Sequence, residues 1–397
     1  MARKKKSAMK VVGPLSMDEI ERMTRKYRTE RTKRNITILF FLILVVFGTY
    51  LLIVNHAYSD IYKGASYTKT SSDNNQYVAF HNGIVRYSRN GVTYLNHKNK
   101  ELWIQSGQFK NPIIDVNKDV FVVADCGGNS IQIFDRKGLK GEFETTLPIE
   151  TISASNQGVV SAILKNDDSP SIVTYDTSGN VLVENEVTVS SLGYPTALDM
   201  SSDGTVLAVT YTDAGSGALR SRVICYNFGE KGKGKTNHIV SEEEYGGVIM
   251  PEVYFMNESD MVVVSDQSFV IYSGKDIPKK EKEIELKQEI KSTFYTSKYI
   301  GFILLKEDKT GYEVCLYNKS GKQVMHKDIK GEYSNVSMVG NEIIMYEGSR
   351  YCVLTNTGVE RINKDLGMNI LAVIPANGIN KYWVMGTNEL RVIYLAP

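Results

Sequence analysis

The sequence predicts an all-β ring of small antiparallel sheets behind one N-terminal membrane-spanning helix. Three observations lead to this fold class. An uncharged run of nineteen residues follows a strongly basic head, a strand-turn-strand pattern recurs eight times after that run, and each copy of the pattern has its own hairpin before it. Repeats of this length are typical of the four-stranded blades of a β-propeller, with eight blades favoured and seven the alternative.

The uncharged run covers residues 36–54, ITILFFLILVVFGTYLLIV, and Asn35 and Asn55 bound it. At about 1.5 Å per residue, such a helix reaches about 28 Å, close to the hydrocarbon thickness of a bilayer. Residues 1–35 carry twelve Lys or Arg against four acids, a net charge of +8, so the head is expected in the cytoplasm. The remaining chain, with a net charge of −6, is then expected outside the cytoplasm on a single-pass cell-membrane protein.

A cleaved signal peptide is the alternative, because Ala57, Tyr58 and Ser59 form a small-x-small processing sequence. The apolar region of a secretory signal is usually only about 7–15 residues long, so an uncleaved anchor fits the nineteen-residue run better.

The basic head contains a helix start signal. Ser16 and Glu19 are spaced as a capping box, which predicts a helix from about Met17 to Arg34. Its polar surface favours contact with anionic lipid, where each basic residue contributes about 1 kcal/mol. Docking of a cytoplasmic partner and a role in topology alone are the other interpretations.

The chain after the span divides into a polar stalk, residues 55–75, and the propeller, residues 76–397. A strand that ends in an aromatic or apolar residue, followed by a Gly-bearing turn, recurs through the propeller at intervals of 37 to 51 residues. The markers of the eight copies are Tyr94, Phe134, Tyr175, Tyr226, Tyr272, Tyr317, Leu354 and Tyr394.

The C-terminal strand RVIYLAP supplies only the third strand of the last blade. A ring of sheets has no open edge only if the other end of the chain completes that blade. We therefore expect residues around Tyr62 to Thr70 to donate the fourth strand.

The hairpin MSSDGTVLAVTY, residues 200–211, resembles the hairpins of WD-repeat, YVTN and quinoprotein-like propellers. The stretches KELW, VVADCGGNSIQIFD, TLPIETISASNQG, LGYPTALDMSSDGT and VICYNF extend the likeness. The whole arrangement resembles an uncharacterised Firmicute family of single-span membrane proteins with an extracytoplasmic propeller of unknown function. That resemblance implies a Gram-positive envelope and offers no activity or catalytic residue.

Several kinds of chemistry find no support in the sequence. The four cysteines lie far apart without a Cys/His cluster, and three of them sit in apolar strands, so neither a metal site nor a disulfide framework is predicted. The segment 229–236, GEKGKGKT, matches a phosphate-binding loop in letters only, since a strand rather than a helix is predicted after it. With two tryptophans and five scattered histidines, no enzyme, cofactor or nucleic-acid partner is expected.

One weak pattern points to a binding surface. The turn after the second strand of most blades carries an acid, and these turns share one face of a propeller with the linkers between blades. Such an acidic, aromatic rim could bind a cationic partner or stack against sugars, although Asp is also favoured in turns for its backbone bonds alone. The candidate rim residues are Asp125, Asp168, Asp213, Asp266, Asp308, Tyr194 and Tyr245.

The sequence therefore favours a non-enzymatic scaffold that holds an envelope protein or cell-wall polymer near the membrane. One alternative is a hydrolase or lyase acting on polysaccharide, with Asp213 and Asp266 as a general acid/base pair. Another is a sensor that couples the outside to the basic head.

Overall fold

A computed structural model describes residues 16–68, 74–166, 169–215 and 217–397. The chain forms two compact units, a helical one that ends at His56 and a β-domain that begins at Ala57.

The helical unit is one continuous helix, α1 (Met17–Val54), that joins the predicted head helix to the predicted span. It begins at the expected capping box, in which the Ser16 side chain accepts the Glu19 backbone N–H and the Glu19 carboxylate accepts the Ser16 N–H. The apolar side chains between Ile36 and Ile53 are largely exposed. By length and composition, α1 could cross a membrane.

The β-domain consists of eight four-stranded antiparallel sheets, which confirms the propeller and the count of eight blades. Strand β1 (Asp60–Thr68) precedes the first blade. Blade 1 contains β2 (Gln76–Phe80), β3 (Gly83–Ser88), β4 (Gly91–Leu95) and β5 (Glu101–Ser106). Blade 2 contains β6 (Pro112–Val116), β7 (Phe121–Asp125), β8 (Ser130–Asp135) and β9 (Gly138–Glu144). Blade 3 contains β10 (Ile149–Ala154), β11 (Val160–Leu164), β12 (Ser171–Tyr175) and β13 (Val181–Glu186).

After a one-turn helix, α2 (Val189–Leu192), the pattern continues in the second half of the domain. Blade 4 contains β14 (Tyr194–Met200), β15 (Val206–Asp213), β16 (Arg220–Asn227) and β17 (Ile239–Gly246). Blade 5 contains β18 (Glu252–Phe255), β19 (Asp260–Val264), β20 (Ser268–Ser273) and β21 (Lys279–Glu285). Blade 6 contains β22 (Glu289–Tyr295), β23 (Tyr299–Leu305), β24 (Tyr312–Asn318) and β25 (Gln323–Ile329). Blade 7 contains β26 (Asn335–Val339), β27 (Glu342–Glu347), β28 (Arg350–Thr355) and β29 (Glu360–Asp365), and blade 8 contains β30 (Ile370–Pro375), β31 (Lys381–Gly386) and β32 (Glu389–Ala396).

Strand β1 completes blade 8, as the sequence predicted. It pairs antiparallel with β32, from Asp60 opposite Ala396 to Thr68 opposite Glu389. The stretch 60–68, part of the segment expected to be a polar stalk, is thus the outermost strand of the last blade. Just before it, the Tyr58 N–H donates to the Arg361 carbonyl at 2.7 Å, so blade 7 also holds the start of the domain.

The hydrophobic core is divided into eight clusters, one at each junction between neighbouring blades. Strand β15 shows how the sequence produces this division. Val206 and Ala208 pack toward blade 5, whereas Leu207 and Val209 pack toward blade 3. Because side chains alternate across a strand, a run of apolar residues covers both faces of a blade, and the ring closes through blades 8 and 1 in the same way.

Candidate functional site

The predicted rim lies on one side of the ring. That side, here called the turn face, carries the turns between second and third strands and the linkers between blades. The Asp125 carboxylate accepts the backbone N–H groups of Lys110 and Asn111 at 2.7 and 2.8 Å. Both donors belong to the linker that precedes blade 2. The turn and the linker are therefore in direct contact on this face.

The same bond recurs in two further blades. Asp266 accepts the Ile249 N–H at 3.2 Å in blade 5, and Glu347 accepts the Ser334 N–H at 3.3 Å in blade 7. In each case the turn acid fixes the linker that leads into the first strand of its own blade. These three acids thus have a structural task besides any role in binding.

Two other turn acids bond within their own hairpins. Asp213 accepts the Gly215 N–H at 2.8 Å and pairs with Arg220 at 2.9 Å; these contacts lower its pKa, the Gly215 bond having the larger effect. Asp308 accepts the hydroxyl and the N–H of Thr310, which lower its pKa as well. Both carboxylates are therefore ionised at neutral pH.

Exposure separates the candidates further. Asp266 and Asp308 are exposed, whereas Asp125 is 5% exposed and the Asp213 side chain 19% exposed. Asp168 lies outside the described residues. Of the predicted acids that the structure describes, Asp266 and Asp308 are the ones that a large partner could reach.

The two predicted aromatic residues differ. The partly exposed Tyr194 donates its hydroxyl to the carboxylate of the exposed Glu150 at 2.7 Å. Tyr245 is 7% exposed, because its ring packs between blades 4 and 5 and its hydroxyl lies 2.6 Å from that of Tyr272. The prediction that Tyr245 lies on an accessible rim is therefore wrong, because Tyr245 belongs to the core.

The centre of the ring contains a second polar group that the sequence analysis missed. The first strands of neighbouring blades contact each other there. Asp115 accepts the Ala154 N–H of the next blade at 2.7 Å, and Asp199 accepts the Phe255 N–H of the next blade at 2.6 Å. Between them, Ser153 accepts the Met200 N–H at 3.0 Å. One polar side chain in each of blades 2, 3 and 4 thus binds the first strand of the following blade.

These central carboxyls titrate unusually. Burial raises the pKa of Asp115 to about 6. Burial, and then the nearby Asp115, raise the pKa of Asp199 to about 7. The Ser153 hydroxyl donates to Asp199 at 2.8 Å and partly opposes the shift. The pair is therefore largely protonated in mildly acidic solution.

Aromatic side chains from blades 5 and 6 reach the same centre. The rings of Tyr254 and Tyr295 stack with centroids 3.9 Å apart, and Asp199 and Asp115 are among the causes that raise the pKa of Tyr295. A polar cavity of about 440 Å³ adjoins Tyr254. It is also lined by Glu252, Thr293 and Ser334. Asp115 and Asp199 are not among the residues that line this cavity.

One signal could have revealed the central acids. Asp115 interrupts the apolar first strand PIIDV, and Asp199 lies between Leu198 and Met200 in the first strand YPTALDM. From the sequence alone, such an acid is expected to lie on the exposed side of a strand whose residues alternate between core and solvent. In a ring, that side faces the neighbouring first strands instead of bulk solvent.

The segment 229–236 is a hairpin connection, and the strand that the sequence predicts after it is β17. It joins β16 to β17 through turns and the short 3-10 helix Thr236–His238. A Cβ on Gly232 would lie 1.7 Å from the Asn227 carbonyl oxygen, so this glycine is required by close backbone packing. The loop lacks the long helix on which phosphate binding depends.

A mixed cluster of possible metal ligands lies in blade 6, although the sequence predicted no metal site. Glu313, Cys315 and His326 bring one potential ligand atom each to within 4.8 Å of one another. Strand pairing produces this cluster, because Cys315 lies opposite His326 on adjacent strands.

The closed ring and its two polar regions define an eight-bladed β-propeller built around interblade hydrogen bonds. The chain belongs to a family of unknown function, DUF5711, whose model matches residues 54–395. A search of curated protein sequences finds no significant match.

Solved structures show the same fold at low sequence identity. BamB from Moraxella catarrhalis is 13% identical with a TM-score of 0.53, covering 84% of this chain and 100% of that protein. Sqt1 from Saccharomyces cerevisiae is 11% identical with a TM-score of 0.53, covering 84% and 99%. A eukaryotic initiation factor is 10% identical with a TM-score of 0.53, covering 83% and 88%. At these identities the likeness concerns the fold.

Proposed function

We propose that this protein is a membrane-anchored, non-enzymatic scaffold that binds a cationic envelope protein or polymer outside the cytoplasm. The observation that carries the proposal is the pair of exposed carboxylates, Asp266 and Asp308, on the turn face of a closed ring. Ionised side chains on one face attract a cationic partner and orient it before contact. The basic residues of α1 would lie against anionic lipid on the other side of the membrane.

The contact surface would extend from these acids to Glu150 and Tyr194. The Tyr194 hydroxyl donates to the Glu150 carboxylate, so the aromatic ring of Tyr194 is held in one orientation. An oriented, partly exposed aromatic beside a carboxylate suits a basic peptide or an amino sugar.

The proposed hydrolase or lyase is less well supported. It required Asp213 and Asp266 to act as a general acid and base, and a general acid needs a raised pKa. The Gly215 bond and Arg220 lower the pKa of Asp213 instead. Asp213 is therefore unsuited to the role of general acid in that pair.

The surface can be tested by neutralising charge without removing the turn-forming side chain. We would replace Asp266 and Asp308 with Asn in the full-length protein and capture partners by crosslinking in intact cells. The matched control replaces Asp119 with Asn and Glu258 with Gln, which removes two half-exposed charges from the turns between first and second strands. We expect at least a tenfold loss of affinity for the captured partner in the first variant and less than a twofold change in the control.

Salt provides an independent check on the same partner. Exposed charges are screened over about 8 Å at physiological ionic strength, so raising the salt concentration should weaken the wild type and leave the Asp266/Asp308 variant nearly unchanged. Equal binding by both proteins at every salt concentration would refute an acidic docking surface.

The orientation has its own test. A cysteine at Ser59, in a background with the partly exposed Cys126 changed to Ser, should react with an impermeant thiol reagent in intact cells. A cysteine at Ser7 should react only after lysis. The reverse pattern would place the propeller in the cytoplasm, and a secreted form beginning at Asp60 would show that the apolar run is a cleaved signal.

A further inference from the structure

Blade 6 places three metal-binding side chain types on one side of its outer strands. Cys315 on β24 pairs with His326 on β25, and residues directly opposite each other point to the same side of a sheet. Glu313 precedes Cys315 by two positions, so it shares that side as well. Two strands therefore present a carboxylate, a thiol and an imidazole together.

The distances between these groups match those between ligands of one metal ion. The Glu313 Oε2 atom lies 3.0 Å from His326 Nε2, and the Cys315 Sγ atom lies 3.8 Å from Glu313 Oε1. With metal bonds of about 2.0–2.3 Å, the ligand atoms of a tetrahedral zinc site lie about 3.3–3.7 Å apart. Small rotations of the side chains would bring all three to bonding distance.

We propose that Glu313, Cys315 and His326 form a binding site for Zn²⁺ or a similar borderline-soft divalent transition metal. A thiolate and an imidazole favour such an ion over Mg²⁺ or Ca²⁺, which prefer all-oxygen sites. The carboxylate and the thiolate together balance the two positive charges of the ion.

The site is half open. Cys315 is 2% exposed and the Glu313 side chain 11% exposed, whereas the His326 side chain is 53% exposed. Three protein ligands beside solvent leave at least one coordination position for water or for a ligand from a partner, as in open zinc sites. The neighbouring blade covers Cys315 from the other direction, since it packs in the cluster between blades 5 and 6.

The surroundings of the thiol are suited to both the metal-free and the metal-bound form. Burial and the nearby Glu313 raise the pKa of Cys315 to about 12, so the thiol is protonated without metal and donates to that carboxylate. Metal binding would release this proton as the Sγ–metal bond forms. The Gln323 side chain already donates an N–H to Sγ at 3.4 Å and would stabilise the thiolate.

The charges around the site partly offset one another. Asp328 approaches His326 Nε2 to 4.0 Å, on the strand that carries the histidine. Lys306 pairs with Asp328 at 2.5 Å and offsets its charge, so the negative charge at the site comes from the Glu313 carboxylate, which contacts the histidine and the thiol. The alternative is that Glu313 and His326 form an ordinary ion pair beside a packed cysteine.

The test uses the full-length protein in detergent, purified with an affinity tag that contains no histidine. Zn²⁺ is titrated calorimetrically, and Co²⁺ is used as a spectroscopic probe of thiolate coordination. The test variants are His326→Gln and Cys315→Ser. The controls are His97→Gln, at another exposed histidine, and Cys352→Ser, at a buried cysteine of blade 7.

We expect one Zn²⁺ per chain and at least a hundredfold weaker binding in His326→Gln. The Cys315→Ser variant should lose the thiolate-to-cobalt charge-transfer band, while both controls bind as the wild type does. Excess Zn²⁺ should raise the thermal midpoint of the wild type and leave that of His326→Gln unchanged. His326 is exposed, so this variant keeps the test valid even if Cys315→Ser fails to fold.

Absence of stoichiometric Zn²⁺ binding by the wild type would overturn the proposal. Binding that survives in His326→Gln, or a cobalt charge-transfer band that survives in Cys315→Ser, would overturn it equally. Any of these results would leave Glu313 and His326 as a hydrogen-bonded pair that joins two strands.

Discussion

The acids at the centre of the ring and those on the turn face make the same kind of bond with opposite electrostatic consequences. Asp199 accepts the Phe255 N–H of the next blade, and Asp308 accepts the Thr310 N–H of its own turn. The centre is largely shielded from solvent and holds two carboxyls close together, so the pKa values of Asp115 and Asp199 rise. On the turn face, donors and a cation lower the pKa values of Asp308 and Asp213.

This difference shows that the position within the blade decides what an acid does. The central carboxyls of Asp115 and Asp199 each join two blades, and their pKa values are raised toward neutral pH. On the turn face, Asp213 and Asp308 have lowered pKa values, stay ionised at neutral pH and bond within their own hairpins. Only the second group can offer charge to a partner, whereas the first determines how the stability of the ring responds to pH.

The largest effect is expected from Asp199→Ala. This change leaves the Phe255 N–H and the Ser153 hydroxyl without their acceptor in a partly buried region, which should lower the free energy of unfolding by about 1–3 kcal/mol. Thermal or denaturant unfolding of the full-length protein measures it. Asp308→Ala serves as the exposed control, and equal losses in both variants would remove the distinction between centre and turn face.

The second effect is a difference in pH dependence. Because the folded-state pKa of Asp199 is raised to about 7, its contribution to stability is fully present below the unfolded pKa of about 3.8 and is lost as the pH rises through 7. The free energy of unfolding of Asp199→Asn, relative to that of the wild type, should therefore rise by about 1–3 kcal/mol from pH 5 to pH 8.

Asp213→Asn is the matched control for this titration. The folded-state pKa of Asp213 is lowered, so its contribution to stability is lost only as the pH falls below the ordinary range of an aspartate. The difference in free energy of unfolding between Asp213→Asn and the wild type should therefore stay constant from pH 5 to pH 8. Unfolding measured across that range distinguishes the two. A flat response of Asp199→Asn would mean that the central carboxyl is ionised in the folded protein.

The third effect concerns the bond between turn and linker. Asp125→Ala removes the acceptor of two linker N–H groups at a site that is 5% exposed, and should lower the free energy of unfolding by about 1–3 kcal/mol. Asp125→Asn keeps an oxygen acceptor and should cost about half as much. Hydrogen exchange at Lys110 and Asn111 should accelerate in Asp125→Ala; unchanged exchange there would show that the linker is held by other contacts.

Much of this arrangement could be predicted from the sequence, because it depends on periodicity. The eight repeats gave the blade count, and the missing fourth strand of blade 8 identified β1 as its donor. The turn acids were found from their place in the repeat. The exposure of these acids could not be predicted, because the burial of Asp125 depends on how the linker folds over it.

The central acids and the blade 6 cluster could not be predicted for a different reason. Asp115 and Asp199 are 84 positions apart, and only the closed ring brings them together. Cys315 meets His326 through a register that changes at a bulge after Leu316. A shift of one residue would send the two side chains to opposite faces, and such a shift cannot be read from propensities.

The smallest effect, and the sharpest limit on the comparison, is expected from Asp308→Asn. Its carboxylate accepts the Thr310 N–H at 3.0 Å in an exposed turn, and an amide oxygen can accept that bond equally well. Stability should therefore change by less than about 0.5 kcal/mol, as for most surface substitutions. Thr310→Val, which removes the hydroxyl donor and keeps the N–H, should be similarly mild. If Asp308→Asn instead destabilised the protein as much as Asp125→Ala, the charge of Asp308 would be serving the fold, and the carboxylate would no longer be available as a docking charge.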